Sequence, residues 1–330
     1  MSTPQKPGLP ADSPYIMKEA DKTGKKLTPT VKSYSKHDFL MSPDARILRI
    51  LCEFQEPAQR LSKHDVRGTI LFFGSARSMG RQQYEHTLQG LKADLNSPDA
   101  DKAAIEAKIA TFQKVEWMCP YVDVTEQLAF RLTEWVRNNK KLQEYMCVST
   151  NYLTGESKLT GPSAQPLLVT TGGGPGIMEA ANKGAAAVPG ATSLGMGISL
   201  PFEKGLNPYV PQDLAFEFHY FFTRKFWMMY SAKALILGPG GFGTMDELFE
   251  LMTLRQTGKV SDLPIVLLGS KYWKTIVNWQ AMADFGTISQ KEVDKLFFAD
   301  DADSAFEYLT THIEKNAEQE CARAKESFSA

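Results

Sequence analysis

Short unbroken apolar runs recur along the chain, each followed by small residues and then by apolar positions at helical spacing. Thr69–Phe73, Leu167–Thr171, Thr192–Leu200, Ser231–Leu237 and Asp262–Leu268 predict buried strands, and Leu296–Phe298 a short further one. Strands without an alternating polar face suit a parallel sheet covered on both sides. Helical spacing runs through Gln82–Leu95, Asp101–Met118, Tyr121–Tyr145, Thr244–Leu254, Tyr272–Met282 and Ala302 to about Glu320. Ser42–Leu61, with Pro43 near its start and Ile47, Leu48, Ile50, Leu51 and Phe54 within it, predicts another helix. The aromatic-rich stretch Phe216–Tyr230 reads as an apolar helix carrying the charged pair Arg224–Lys225. Strands alternating with helices predict an α/β fold, a doubly wound, mostly parallel, Rossmann-like sheet. Residues 1–65 are expected to form an N-terminal arm and covering helix, and 66–330 the main domain with a helical hairpin inserted at 82–118. Thr154–Pro166 is expected as a loop, Pro201–Pro208 as a pocket rim, and Gly184 as the end of a helix.

Composition changes this picture little. The 330 residues are 43% hydrophobic and 23% charged, with a net charge of -1, so nothing global steers the chain to nucleic acid or an anionic membrane. The first residues lack the apolar core of a signal peptide, and no apolar run is long enough to span a bilayer, so the cytoplasm is the expected compartment. Cys52, Cys119, Cys147 and Cys321 are widely spaced, and five histidines show no HxxxH spacing. Reduced thiols are therefore expected, with no metal and no cofactor.

The candidate chemistry lies where strands end. Gly74-Ser75-Ala76-Arg77 offers a small-residue turn, a hydroxyl and a guanidinium suited to phosphate. Gly172-Gly173-Gly174-Pro175-Gly176 opens a second helix, which carries Glu179. Its spacing is neither the dinucleotide fingerprint nor a Walker loop, so it suggests a bound anion or ribose without NAD or ATP in their usual poses. The third turn, Gly238-Pro239-Gly240-Gly241-Phe242-Gly243-Thr244, enters a helix whose first-turn N–H groups have no intrahelical partner. It is expected to cradle a phosphate, with the Thr244 hydroxyl assisting, while Glu247 reaches the sugar one turn further on. In a parallel sheet these strand ends share an edge and converge on one ligand, most simply a nucleoside phosphate. A carboxylate beside a phosphorylated ribose suits glycosidic cleavage, because C1′ gains oxocarbenium character as the bond breaks. Arg224 would orient Glu247 and neutralise phosphate or leaving-group charge.

These motifs resemble those of the LOG ("Lonely guy") family, long labelled as lysine decarboxylases. Pro239-Gly-Gly-Phe-Gly-Thr-Met-Asp-Glu247 matches the family's PGGxGTxxE pattern, and Arg224-Lys225 its arginine-lysine helix. Phe73-Gly-Ser-Ala76 and Gly172-Gly-Gly-Pro-Gly-Ile-Met178 are similar to its two earlier glycine loops, so the resemblance runs over roughly 68–300. It implies a nucleoside 5′-monophosphate phosphoribohydrolase, as in cytokinin activation or AMP hydrolysis, with Arg224 and Glu247 as the catalytic pair. Gly240, Gly241, Gly243 and Thr244 would bind the phosphate, helped by Gly74, Ser75, Arg77, Gly173, Gly174, Gly176 and Glu179. It also implies a homodimer, or a larger assembly built from one, with the aromatic helix near the partner subunit. The long N-terminus, the insertion and the Ser-Ala-Arg first loop depart from compact family members. The alternative is a non-catalytic carrier of a phosphorylated nucleotide or of the molybdenum cofactor, which would need the anion turn but not the Arg224–Glu247 pair. A pyridoxal-dependent decarboxylase or a dehydrogenase is disfavoured for lack of their motifs.

Overall fold

The structure is a computed structural model that describes residues 23–25, 31–97, 101–151, 153–200 and 205–329. The strands are β1 (Gly68–Phe73), β2 (Val148–Thr150), β3 (Ser157–Leu159), β4 (Leu167–Thr171), β5 (Leu194–Ile198), β6 (Ala215–Phe218), β7 (Ala232–Leu237), β8 (Ile265–Leu268) and β9 (Phe297–Ala299). Seven of them form a parallel sheet in the order β6-β5-β4-β1-β7-β8-β9. The chain winds outward from β1 through β4, β5 and β6, then crosses back to lay β7, β8 and β9 on the other side. The strand order therefore reverses between β1 and β7, and in open α/β sheets ligands bind beyond the strand ends at such a switch point.

Both faces of the sheet are buried, which is why its strands read as unbroken apolar runs. Leu71, Phe73, Leu235, Leu237, Ile265 and Leu267 enter one core. Their alternating neighbours Ile70, Phe72, Ala234, Ile236, Val266 and Leu268 enter the other. On the second face the helices Cys119–Asn138 and Ile177–Ala186 pack so closely that a Cβ on Gly184 would meet the carbonyl oxygen of Glu126. Gly184 thus lies inside its helix, where it permits close helix contact, and does not end it.

Other expectations shift in similar ways. Phe216–Tyr230 divides into edge strand β6 and the helix Phe221–Ser231, because Phe216 and Phe218 point into the core while Glu217 is exposed. Within the stretch expected as a loop before β4, Ser157–Leu159 is strand β3, paired antiparallel with β2 just ahead of that stretch. Tyr272–Met282 is split into the helices Ser270–Ile276 and Trp279–Asp284, and the last helix runs on to Ser329. Of the expected rim, residues 201–204 lie outside the described residues. The distant Cys147 and Cys321 meet in the interior with their sulfurs 2.7 Å apart, both as free thiols.

The chain divides into two compact units, one reaching Gln55 and the other starting at Glu56, inside the helix Arg46–Lys63 and upstream of the boundary expected after residue 65. In the first unit Arg49 donates to the carbonyl oxygens of Leu40 (2.6 Å) and Ser42 (2.7 Å), tying a short helix to the start of the long one. Ile47, Leu48 and Leu51 on that helix are exposed. All site residues lie in the second unit. Among the described residues, no helix is long and apolar enough to cross a membrane.

Candidate active site

The turns after β1 and β7 lie side by side and are bonded to each other. The N–H of Gly238 donates to the Phe73 carbonyl and that of Ser75 to the Pro239 carbonyl, both at 2.8 Å. Between and above them opens a cleft of about 700 Å³, within the size range of small-molecule sites. Gly74, Ser75 and Arg77 line it from the first turn; Gly240, Gly241, Gly243 and Thr244 line it from the third. Arg224 and Glu247 line the same cleft. The helix Phe242–Gln256 begins at Gly241 with no side chain capping it, so its N-terminal N–H groups face an open site. Gly240 is required here because a Cβ would collide with the Thr244 side chain that folds back over the turn.

The second glycine turn is placed differently. Gly173, Gly174 and Gly176 do not line this cleft. The Ile177 N–H at the start of its helix donates to the Ser78 hydroxyl at 3.0 Å, so the first turn caps it. Gly176 has φ of 74°, and a Cβ on it would strike the carbonyl oxygen of Ser75. Gly173 is held by Thr171 Oγ1, which accepts from its N–H at 2.8 Å, and by the Asn207 N–H, which donates to its carbonyl at 2.7 Å. Only Met178 from this segment reaches the cleft. Glu179 lines a separate cavity beside Lys183 and Asp123.

The buried charges sit one layer below. Arg224 is 8% exposed; its Nε donates to the Met196 carbonyl at 2.7 Å, and its Nη2 lies 2.5 Å from where a Gly172 Cβ would stand. The second turn thus supports the cleft by leaving room for this guanidinium. The neighbouring Lys225 pairs outward with Asp246 (2.6 Å) and Glu250 (2.7 Å). Burial alone would lower the Lys225 ammonium, but those bonds hold it above its ordinary value. Glu247 is 3% exposed, and its Oε2 is buried without a hydrogen-bond partner among the described residues. Burial pushes its carboxyl up to about 7, against the pull of Arg224 and Lys225 and with a push from Asp246 and Glu250. A buried carboxyl with one unpartnered oxygen and a raised pKa in a cleft is a physical mark of a functional group.

The cleft also contains residues the sequence pattern did not single out. Lys114, Trp117 and Met118 reach it from the end of the inserted hairpin, and Tyr272 from the helix Ser270–Ile276 that follows β8. A tryptophan at the end of an otherwise polar helical stretch was the available signal. Among the described residues, no cluster of three or more His, Cys, Asp or Glu side chains is arranged to hold a metal.

An uncapped helix end at the switch point of a doubly wound α/β sheet, with a buried carboxylate one turn behind it, is an arrangement that suits a small anionic ligand. Residues 178–309 match the family model described as possible lysine decarboxylase, and over that stretch the resemblance to the LOG, or lysine decarboxylase-like, family holds. It includes Arg224, Lys225 and the Pro239–Glu247 motif, whereas the two earlier loops precede it. A solved structure, the X-ray structure of the structural-genomics target TM1055, is similar over 74% of this chain and 99% of its own, at 16% identity and a TM-score of 0.43. No curated protein matches the chain.

Proposed function

We propose that the protein hydrolyses the N-glycosidic bond of a nucleoside 5′-monophosphate, AMP or an N6-modified AMP, to the free base and ribose 5-phosphate. The observation that carries this reading is the Glu247 carboxyl, buried, with Oε2 unpartnered among the described residues and its pKa raised to about 7, one turn behind an uncapped helix N-terminus. The phosphate sits on the Gly240–Thr244 turn with Arg77 at its side, and this places the ribose over Glu247. As the C1′–N bond breaks, its electron pair stays on the base nitrogen and C1′ becomes cationic. Ionised Glu247 stabilises that charge and orients the incoming water. The water oxygen bonds to C1′, and its displaced proton passes through Glu247 to solvent or to the departing base. Arg224 acts from behind, biasing Glu247 towards the ionised form that the reaction uses. A carrier protein would need the anion turn but has no use for a buried carboxyl with a raised pKa in the cleft, so the enzyme reading is favoured.

The protein works as a homodimer in this reading. Phe221 and Phe222 are 54% and 52% exposed, and Phe242, on the phosphate turn itself, 96%. Such aromatic surface suits a second copy of the chain, which would then border the cleft.

Product analysis with a panel of nucleoside monophosphates, AMP and an N6-prenyl AMP among them, tests the proposal. Ribose 5-phosphate should appear with the wild type and vanish with Glu247→Gln. No turnover of any monophosphate by folded protein would refute it.

A further inference from the structure

The inserted hairpin, read from the sequence as an addition to the domain, delivers an aromatic side chain to the cleft. Its helices Arg81–Leu95 and Lys102–Gln113 are joined by a stacked pair, Tyr84 and Phe112, with ring centroids 4.9 Å apart and planes 5° apart. The following turn, Glu116–Met118, is fixed at both ends. Glu116 accepts from Arg81 at 2.7 Å and from the Tyr84 hydroxyl at 3.2 Å, and Met118 is buried. Between these anchors stands Trp117, which stacks on Tyr272 at 5.3 Å with planes 28° apart. The Tyr272 hydroxyl in turn donates to the carbonyl of Gly240, in the phosphate turn. Trp117 is 44% exposed although Tyr272 supports it from one side.

We infer that the tip of the insertion is the base-recognition wall of the site, with Trp117 stacking on the planar base of the bound nucleotide. This inference rests on the nucleotide reading above and specifies it. The N–H groups of the phosphate turn and Glu247 account for the phosphate and the sugar, and, with the turn's exposed Phe242 assigned above to the contact with a second copy, neither offers a surface to a flat, weakly polar ring. Trp117 does, at the cleft wall and held in place through Tyr272 by the same turn that takes the phosphate. Stacking is tolerant of base identity but grows with ring area. The wall therefore selects nucleotides over ribose 5-phosphate, and purines over pyrimidines.

Titration calorimetry in the Glu247→Gln background, where turnover is stopped, isolates the effect. AMP should bind at least about fivefold more tightly than ribose 5-phosphate. Adding Trp117→Ala should remove most of that preference while ribose 5-phosphate affinity stays within about twofold, and Trp117→Phe should restore it. An unchanged AMP-to-ribose 5-phosphate ratio in the alanine variant overturns the inference, as does a loss of both affinities together. If AMP binds with this preference but the wild type releases no ribose 5-phosphate, the hydrolase reading falls and the base wall stands. If neither ligand binds, both fall.

Discussion

The turns after β4 and β7 are alike in composition and opposite in use. Both put glycines and a proline between a buried strand and a helix, yet one is filled and the other open. At Gly172–Ile177 the backbone groups bond to Thr171, Asn207 and Ser78, and the glycines exist because neighbours crowd them. At Gly238–Thr244 a Cβ on Gly241 or Gly243 would meet nothing within 4 Å, and the helix end faces the cleft. A glycine can thus mark close packing of protein on protein or close approach of a ligand, and spacing alone does not separate the two.

The largest effect expected from this contrast falls on chemistry at the open turn. Glu247→Gln keeps the shape of the side chain and removes its charge, and kcat should fall about 10²- to 10³-fold or more. Steady-state rates on the best monophosphate check this, with circular dichroism as the control for folding.

At the filled turn the largest effect is on stability. Gly176→Ala sets an alanine at positive φ and drives its Cβ into the Ser75 carbonyl, a backbone atom that cannot swing away. A loss of about 3 kcal/mol or more is expected in urea unfolding. A near-neutral result would mean that the junction between the first and second turns is looser than described.

Next comes a pH-dependent gain in stability at Glu247. Its folded pKa, about 7, is above the ordinary value of 4.5, so the folded state holds the proton more tightly than the unfolded state. Its stabilising contribution is complete below about pH 4.5 and is lost as pH rises through 7. Glu247→Gln should therefore be no more stable than wild type at pH 4.5, and more stable at pH 8 by up to about 3 kcal/mol. Equal urea midpoints at both pH values would show that Glu247 is solvated or paired.

The smallest structural effect belongs to Gly241→Ala, with φ of -91° at the helix cap and open space around the new methyl group. Stability should change by less than about 1 kcal/mol, while KM rises several-fold as the methyl group crowds the phosphate. If stability drops as far as in Gly176→Ala, the two turns are alike after all.

Much of the fold was legible because both faces of the sheet are buried, and unbroken runs such as Leu167–Thr171 have few other uses. Phe216–Phe218 was not, since a short edge strand beside an aromatic helix shares its composition. Gly184 looked like a helix end, and only the Glu126 carbonyl beside it explains it as a crossing point. In the site, Arg224 and Glu247 were visible through motif spacing, and the structure brings both to the cleft with the first and third turns. The second turn's packing role and the arrival of Trp117 depend on contacts between segments far apart in sequence, to which local patterns are blind.

In the proposed reaction the open turn presents a phosphorylated ribose to an ionised Glu247. Ribose 5-phosphate release from AMP, followed from pH 5 to pH 9 with wild type and Glu247→Gln, tests it most directly. The wild-type rate should fall away below an apparent pKa near 7, with almost no release by the variant at any pH. A variant that retains the wild-type rate, or a wild type whose rate rises as pH drops below 7, would contradict it.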